Sequence, residues 1–355
     1  MKETGHIIET QSFERAWIET KFFKEVEDMS IILKNNPSSL LGVLKSKKIL
    51  LLFWKKSVRT SDTFHLTADM LGANTHLIEG EKQLEKWQIP YSSEVESGCF
   101  EDMIRTFATR YDCIVIRHPE EGLASRAATL VDRFNYKTKI INAGDGPGQH
   151  PIQALIDIYS IHKNFGKIDG LTCTLMGDLL NSRAIHSLVY LLGKFNVKMF
   201  LVSPSKLKMP KGITSYLNRH SVSYEEIHPS EMNNIKKSFD FMYVVRIPNK
   251  YPKDSDIMHS ITNEPLPVIN KGFAEDFLKK HSKVYHPFSR GLEITPWRDD
   301  DKKSQKESID EMPCAGYFEQ IENGTAVISA VLKMALNPAS DLKEIDDNWK
   351  FLGKK

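Results

Sequence analysis

Seven consecutive residues, Lys48-Ile-Leu-Leu-Leu-Phe-Trp54, constrain this chain more than any other stretch. A run that is apolar without alternation has no face to offer water, so it suits a strand covered on both sides, as in a parallel sheet sandwiched by helices. Strand-like segments recur at 75–78, 113–116 and 139–141, and again at 171–176, 198–203, 238–245 and 283–285. Between them lie segments with apolar residues three and four apart: 13–35 (Phe22, Val26, Met29, Ile32), 63–72, 99–111, 150–164 (Ala154, Leu155, Ile158, Ile161) and 184–194, with 316–336 closing the chain. Strand alternating with helix predicts an α/β fold. Two such series joined by the helix at 150–164 predict two similar-sized, doubly wound parallel-sheet domains, with the ligand cleft between them at the carboxyl ends of the strands. The expected boundaries are 1–155, 156–312 and 313–355, the last being a C-terminal helix that packs back on the first domain, followed by a tail.

With 355 residues, the chain has enough length for two such cores. The 48 basic and 46 acidic residues nearly cancel, which argues against nucleic acid as the main partner. The longest apolar run is too short to span a bilayer, and the first ten residues lack an apolar signal core, so a cytoplasmic protein is expected. Cys99, Cys113, Cys173 and Cys314 are too scattered for a zinc or redox motif. Cys113 and Cys173 read as small core residues, and no metal or organic cofactor is expected. The highly charged stretch 299–311 reads as a solvated surface loop.

Five places can carry chemistry. Ser57-Val-Arg-Thr60 follows the first strand, where hydroxyls, an arginine and helix N–H groups can hold a phosphate, or simply cap the helix. Arg117 ends the 113–116 strand, facing the ligand crevice or bridging two loops. His150 and Gln153 share one face at a helix start, behind the glycine-rich Asn142-Ala-Gly-Asp-Gly146. The helix dipole there disfavours an imidazolium, leaving a neutral donor. Arg183 and Arg246 follow strands of the second series, and two guanidiniums suit a dicarboxylate.

Taken in order, these stretches, with Arg117-His-Pro-Glu-Glu-Gly122, Gly177-Asp-Leu, His186-Ser187, His286-Pro287, Tyr317-Phe318 and Asn323-Gly324, resemble the aspartate/ornithine carbamoyltransferase family, its aspartate branch in particular, from about residue 5 to about residue 336. The resemblance implies carbamoyl phosphate bound by Ser57, Arg59, Thr60 and Arg117. His150, with Thr60 and Arg117, would then hold the carbonyl oxygen, and Gln153 the carbamoyl nitrogen. It implies aspartate carboxylates on Arg183 and Arg246, the Phe288 carbonyl beside the reacting groups, and a homotrimer with shared active sites. In the family a neighbouring chain also supplies a serine and a lysine from a loop that falls here at 79–98. Ser93 (or Ser92) fits the serine, but Glu96 stands at the lysine position, leaving Lys82 or Lys86 as substitutes.

Other departures are Val58 and Ile152 in the donor half, Pro248 for a glutamine, Ser289 for a proline and Ile328 for an arginine. Beside carbamoyl transfer to L-aspartate, a different amine acceptor and a non-catalytic binding or regulatory subunit remain open. A nicotinamide enzyme is disfavoured, because 142–148 does not match the dinucleotide-binding glycine spacing.

Overall fold

The computed structural model describes residues 5–54, 57–80, 100–248 and 255–337. The chain forms two compact units, one taking in the chain up to Tyr159 and again from Glu322, the other running from Ser160 to Ile321. Each is built on one sheet, and every strand pair in both sheets is parallel.

In the first unit the strands are β1 (Lys48–Phe53), β2 (Asn74–Glu79), β3 (Cys113–His118) and β4 (Lys139–Asp145), in spatial order β2-β1-β3-β4. After its first residue, β1 is buried throughout, as its sequence demands. Leu50, Leu52, Ile114, Ile116 and Ile140 pack with Ala124, Ala127 and Val131 of the helix Leu123–Arg133. The open edge of β4 is covered by the chain's beginning: Ile7 N–H donates to Ile140 O (2.9 Å) and Asn142 N–H to Ile7 O (2.8 Å). His6 fastens this segment, its Nδ1 accepting from Ile140 N–H and its Nε2 meeting Asp132 at 3.0 Å.

The second unit holds β5 (Thr172–Met176), β6 (Lys198–Val202), β7 (Ser223–Ile227), β8 (Phe241–Val244) and β9 (Lys283–Tyr285), in order β7-β6-β5-β8-β9. Its core gathers Met176, Val202, Phe239, Met242, Val244, Ile269 and Tyr317. Cys113 and Cys173 are fully buried, and burial pushes both thiols well above the ordinary cysteine value. Among the described residues no helix is long and apolar enough to cross a membrane.

Several expectations need correction. The segment 13–35 is helical from Arg15 onward, though not uniformly: the α-helix Arg15–Trp17 passes through a π-helical turn, Ile18–Phe22, into Phe23–Asn35. The second helix begins at Val58 rather than near 63, because Ser57 occupies its N-cap position, so Arg59 and Thr60 lie in its first turn. Residues 142–145 are strand, not loop; the Asn142 side chain bridges Ile8 O and Gly144 N–H and keeps the chain extended past its glycine. Strand β7, Ser-Tyr-Glu-Glu-Ile, lacks an apolar run because at a sheet edge its glutamates stay in water. The helices Leu123–Arg133, Lys211–Arg219, Ser255–Asn263 and Lys271–Phe277 were also not anticipated.

The stretch 299–311 is not a plain solvated loop. Asp301 caps the helix Lys302–Glu307 by accepting from Lys303 N–H and Ser304 N–H, and Ser304 is buried. Asp310 forms a largely buried ion pair with Arg290 and accepts from Tyr317 O–H. Burial alone would raise the Asp310 carboxyl; the hydrogen bonds from Arg290, Tyr317 and the Trp297 N–H, with the Arg290 charge, outweigh it and hold it below the ordinary carboxylate value.

Candidate active site

A doubly wound sheet opens a crevice where the chain leaves one strand in opposite directions. In the first sheet that point lies between β1, whose next strand β2 is on one side, and β3 on the other. Both donor-side constellations converge there. Ser57, Arg59 and Thr60 follow β1, Arg117 is the penultimate residue of β3, and Trp54 N–H donates to Arg117 O at 3.0 Å, holding the two strand ends together.

Ser57 Oγ donates to Thr60 Oγ1 at 3.1 Å, setting the two hydroxyls side by side at the amino end of the helix Val58–Met70. That end turns the positive pole of the helix toward an anion. Glu79 Oε1 already takes the Ser57 N–H at 3.0 Å. Arg59 keeps much of its surface, yet burial by the surrounding protein still lowers its pKa below the ordinary arginine value. Arg117 Nη1 donates to Ala143 O at 3.0 Å, which ties its side chain to the end of β4.

Asp145, buried, draws the neighbouring loops together by accepting from Gly122 N–H (2.9 Å) and Gln149 N–H (2.7 Å). Gly146 makes the close turn possible. It has φ +45°, and a Cβ there would meet Pro119 O at 2.5 Å. This packing sets His150 at the start of the helix Pro151–Phe165. His150 Nδ1 accepts from Gln153 N–H at 3.4 Å, so in the neutral ring Nε2 carries the proton and can donate to an oxygen. Gln153 Nε2 donates to Asp157 Oδ1 at 2.8 Å. A carboxylate only accepts, so this contact fixes which end of the amide faces outward: Oε1, an acceptor for N–H groups.

The second sheet reverses direction between β5 and β8. Arg183 opens the helix Arg183–Leu192 after β5, and Arg246 follows β8. Gly177 lets these strand ends approach: it has φ +128°, and a Cβ there would lie 2.0 Å from Val245 O. Buried Asp178 accepts from Asn181 N–H (3.0 Å), and buried His186 holds Leu179 O with Nε2 at 2.8 Å, shaping the turn before Arg183.

Phe288 sits beyond β9 with φ +52°, joined to Ser289 by a cis peptide bond, and its N–H donates to His286 Nδ1 at 2.8 Å. Arg290, paired with Asp310, lies over the rings of Phe288, Tyr317 and Phe318 at 5.5, 4.8 and 5.5 Å. Ser93 and Glu96, with the alternatives Ser92, Lys82 and Lys86, lie outside the described residues.

Sequence reasoning therefore found Ser57, Arg59, Thr60, Arg117, His150 and Gln153 for the first crevice and Arg183 and Arg246 for the second. It missed Asp157, the carboxylate that holds Gln153. Asp157 sits four residues after Gln153, one helical turn along the same face, which was the available signal.

Residues 5–163 match the family model of the aspartate/ornithine carbamoyltransferase carbamoyl-P binding domain, and residues 169–335 that of the Asp/Orn binding domain. A chloroplastic aspartate carbamoyltransferase of Oryza sativa subsp. japonica is 34% identical over 337 residues, 94% of this chain and 85% of the relative. The aspartate carbamoyltransferase catalytic subunit of Thermoplasma volcanium is 34% identical over 310 residues, 87% of this chain and 92% of the relative. Among solved structures, the catalytic subunit of M. jannaschii aspartate transcarbamoylase has a TM-score of 0.76 and 30% identity, covering 95% of this chain and 100% of its own. The Trypanosoma cruzi aspartate transcarbamoylase in complex with carbamoyl phosphate and aspartate has a TM-score of 0.78 and 27% identity, covering 92% of this chain and 95% of its own. With both of its halves matched in order, and with these relatives along nearly all of its length, the chain belongs to the aspartate/ornithine carbamoyltransferase family.

Proposed function

We propose that this protein transfers the carbamoyl group of carbamoyl phosphate to the amino group of L-aspartate, giving N-carbamoyl-L-aspartate and phosphate. The observations that support the reading are, in one unit, hydroxyls and arginines at the β1/β3 crevice and, in the other, two arginines after β5 and β8. Ser57, Arg59, Thr60 and Arg117 hold the phosphate, through hydroxyls, guanidiniums and the helix amino end. The Nε2–H of His150, with Thr60 and Arg117, donates to the carbamoyl oxygen, and Gln153 Oε1 accepts from the carbamoyl nitrogen. Arg183 and Arg246 take the two carboxylates of aspartate, and the Phe288 carbonyl faces its amine.

The amine lone pair attacks the carbamoyl carbon. The bond from that carbon to the phosphate oxygen then breaks, and phosphate leaves with the electron pair while the amine gives up a proton to it. Negative charge grows on the carbonyl oxygen and on the departing phosphate, so donors fixed around both lower the barrier without reorganising. Positioning two bound substrates supplies much of the rest.

A homotrimer with shared sites goes with this reading, the loop carrying Ser93 and Glu96 reaching a neighbour's donor crevice, where Lys82 or Lys86 would replace the missing lysine. The apolar residues Val58 (69% exposed) and Leu66 (50%) on the outer face of the helix Val58–Met70 support a neighbouring copy there. Calorimetry with carbamoyl phosphate, on the wild type and on Arg59→Ala, followed by a colorimetric ureido assay over a panel of amines, tests the proposal. Binding that Arg59→Ala abolishes, with ureido product from aspartate, is expected. No heat at millimolar donor would remove the enzymatic reading, and product from another amine but not aspartate would reassign the acceptor.

A further inference from the structure

The backbone of Phe288 adopts a conformation that its own side chain disfavours. At φ +52° the Cβ of any residue but glycine crowds the backbone, and a bulky side chain persists there only when its surroundings impose it. Rotation about the N–Cα bond moves the N–H and the side chain relative to each other, so pinning both fixes φ. The N–H donates to Nδ1 of the buried His286 at 2.8 Å, and His286 N–H in turn donates to Oε1 of the buried Gln320 at 3.0 Å. The ring is pinned by packing. It meets His286 and Tyr317 edge-on, with centroids 5.6 and 5.8 Å away, and Phe318 at a tilt, 6.1 Å away, while the Arg290 guanidinium lies 5.5 Å from its centre.

Arg290 closes this box, and it is itself locked. Both of its Nη groups donate to Asp310, Nη2 to Oδ2 at 3.0 Å, and Nη1 also donates to Tyr317 Oη at 3.2 Å. Tyr317 O–H donates to Asp310 Oδ1 at 2.5 Å, and Trp297 N–H donates to Oδ2 at 3.0 Å. The side chains of Arg290 and Asp310 are 11% and 12% exposed, so little water competes for the pair. A planar guanidinium gripped in its own plane by a carboxylate can still lay its face on aromatic rings. Arg290 does so, standing 4.8 Å from the Tyr317 ring centre and 5.5 Å from that of Phe318. Asp310 brings to this place one carboxylate of the charged stretch 299–311.

We infer that Arg290 is a positioning residue for the acceptor step: fastened by Asp310 and Tyr317, it closes the aromatic box that holds Phe288 in its left-handed backbone state, and so fixes where the Phe288 carbonyl points. The inference deepens the reading above and rests on it, since there the Phe288 carbonyl faces the amine of aspartate. A carbonyl already aimed at the amine does not have to be ordered as the reaction begins, so the gain falls on kcat. Arg290 acts on the substrate only through Phe288.

The test measures kcat and KM for aspartate by ureido formation, Kd for carbamoyl phosphate by titration calorimetry, and the melting temperature. It compares full-length wild type with Arg290→Lys, Phe288→Gly and the double variant. Arg290→Lys, which gives up the planar fork, is expected to lower kcat about tenfold, within the range of coupling between residues in contact, and to leave the carbamoyl phosphate Kd unchanged. Phe288→Gly removes the ring and takes up φ +52° freely, so on that background Arg290→Lys should lower kcat by less than about twofold. A merely structural role predicts a lower melting temperature with kcat unchanged well below it. That result overturns the inference, as do additive losses in kcat or a weakened carbamoyl phosphate Kd. Should Arg290→Lys not fold, Tyr317→Phe decides, because it keeps the ring of the box and takes away one tie of the guanidinium; a lower kcat is expected, and an unchanged one overturns the inference. Absence of ureido product from aspartate with the wild type sinks the functional reading, whereas wild-type turnover with any of the overturning results sinks the positioning role alone.

Discussion

Replacing Gly177 by alanine should damage stability and acceptor binding together. The new Cβ would lie 2.0 Å from Val245 O and 2.9 Å from Val245 C, against an ordinary contact of about 3.4 Å or more. The obstructing atoms are backbone, so relief requires moving the end of β5 from that of β8 by about 1 Å or more, against the Val245 N–H to Met176 O hydrogen bond of 2.8 Å. A non-glycine residue at φ +128° adds about 1–3 kcal/mol of backbone strain, and the forced shift of packed chain costs about 1–3 kcal/mol. The midpoint, about 4 kcal/mol, corresponds to a fall in melting temperature of about 10 °C for a unit of this size. Because the displaced strand ends lead to Arg183 and Arg246, the aspartate KM should rise while the carbamoyl phosphate Kd holds. Scanning calorimetry reads the first effect, and initial rates with titration calorimetry read the others. A variant that melts within about 1 °C of wild type would refute the steric argument.

Asp157→Asn should leave the fold intact and weaken carbamoyl phosphate about tenfold, the size of one hydrogen bond to a charged group, because the Gln153 amide loses its fixed orientation. Inorganic phosphate, which has no amide, should bind Asp157→Asn as it binds wild type; equal weakening of both ligands would contradict the role given to Gln153. His6 is held below its ordinary pKa of 6.5, chiefly by burial, with Asp132 opposing. The unfolded chain therefore takes up its proton first, so the stability this histidine contributes is present above pH 6.5 and is lost as pH falls below it toward the folded value. Urea midpoints at pH 7.5 and 5.5 should fall further for wild type than for His6→Gln, and equal falls would exclude this linkage. Glu96→Lys should raise turnover by putting a positive charge where the family has one; unchanged or lower turnover would mean that another residue of 79–98 occupies that position.

Much of this architecture was readable because buried parallel strands announce themselves. Residues 49–53 are apolar throughout and 173–176 are buried throughout, and the helix Gly316–Leu336 has the bounds expected of it. Edge and surface elements were not readable on the same grounds: β7 carries glutamates that meet water, and the helix Lys302–Glu307 is nearly all charged. For the site, the legible residues were those at strand ends whose types alone suggest anion binding, such as Arg117 and Arg183. What stayed hidden was pairing across long stretches of chain. The partnership of Arg290 with Asp310 spans twenty residues and that of Asn142 with Ile8 spans 134, and neither leaves a local pattern.

Because Ile7 is the only strand-like cover on the outer side of β4 among the described residues, trimming the chain to residue 10 would bare a row of unpaired amides along an otherwise regular edge. Such an edge invites pairing with another molecule, so shortened versions of this protein would tend to self-associate and precipitate, and they would also lose the Ile8 and Thr10 contacts that brace Asn142 and Gln149.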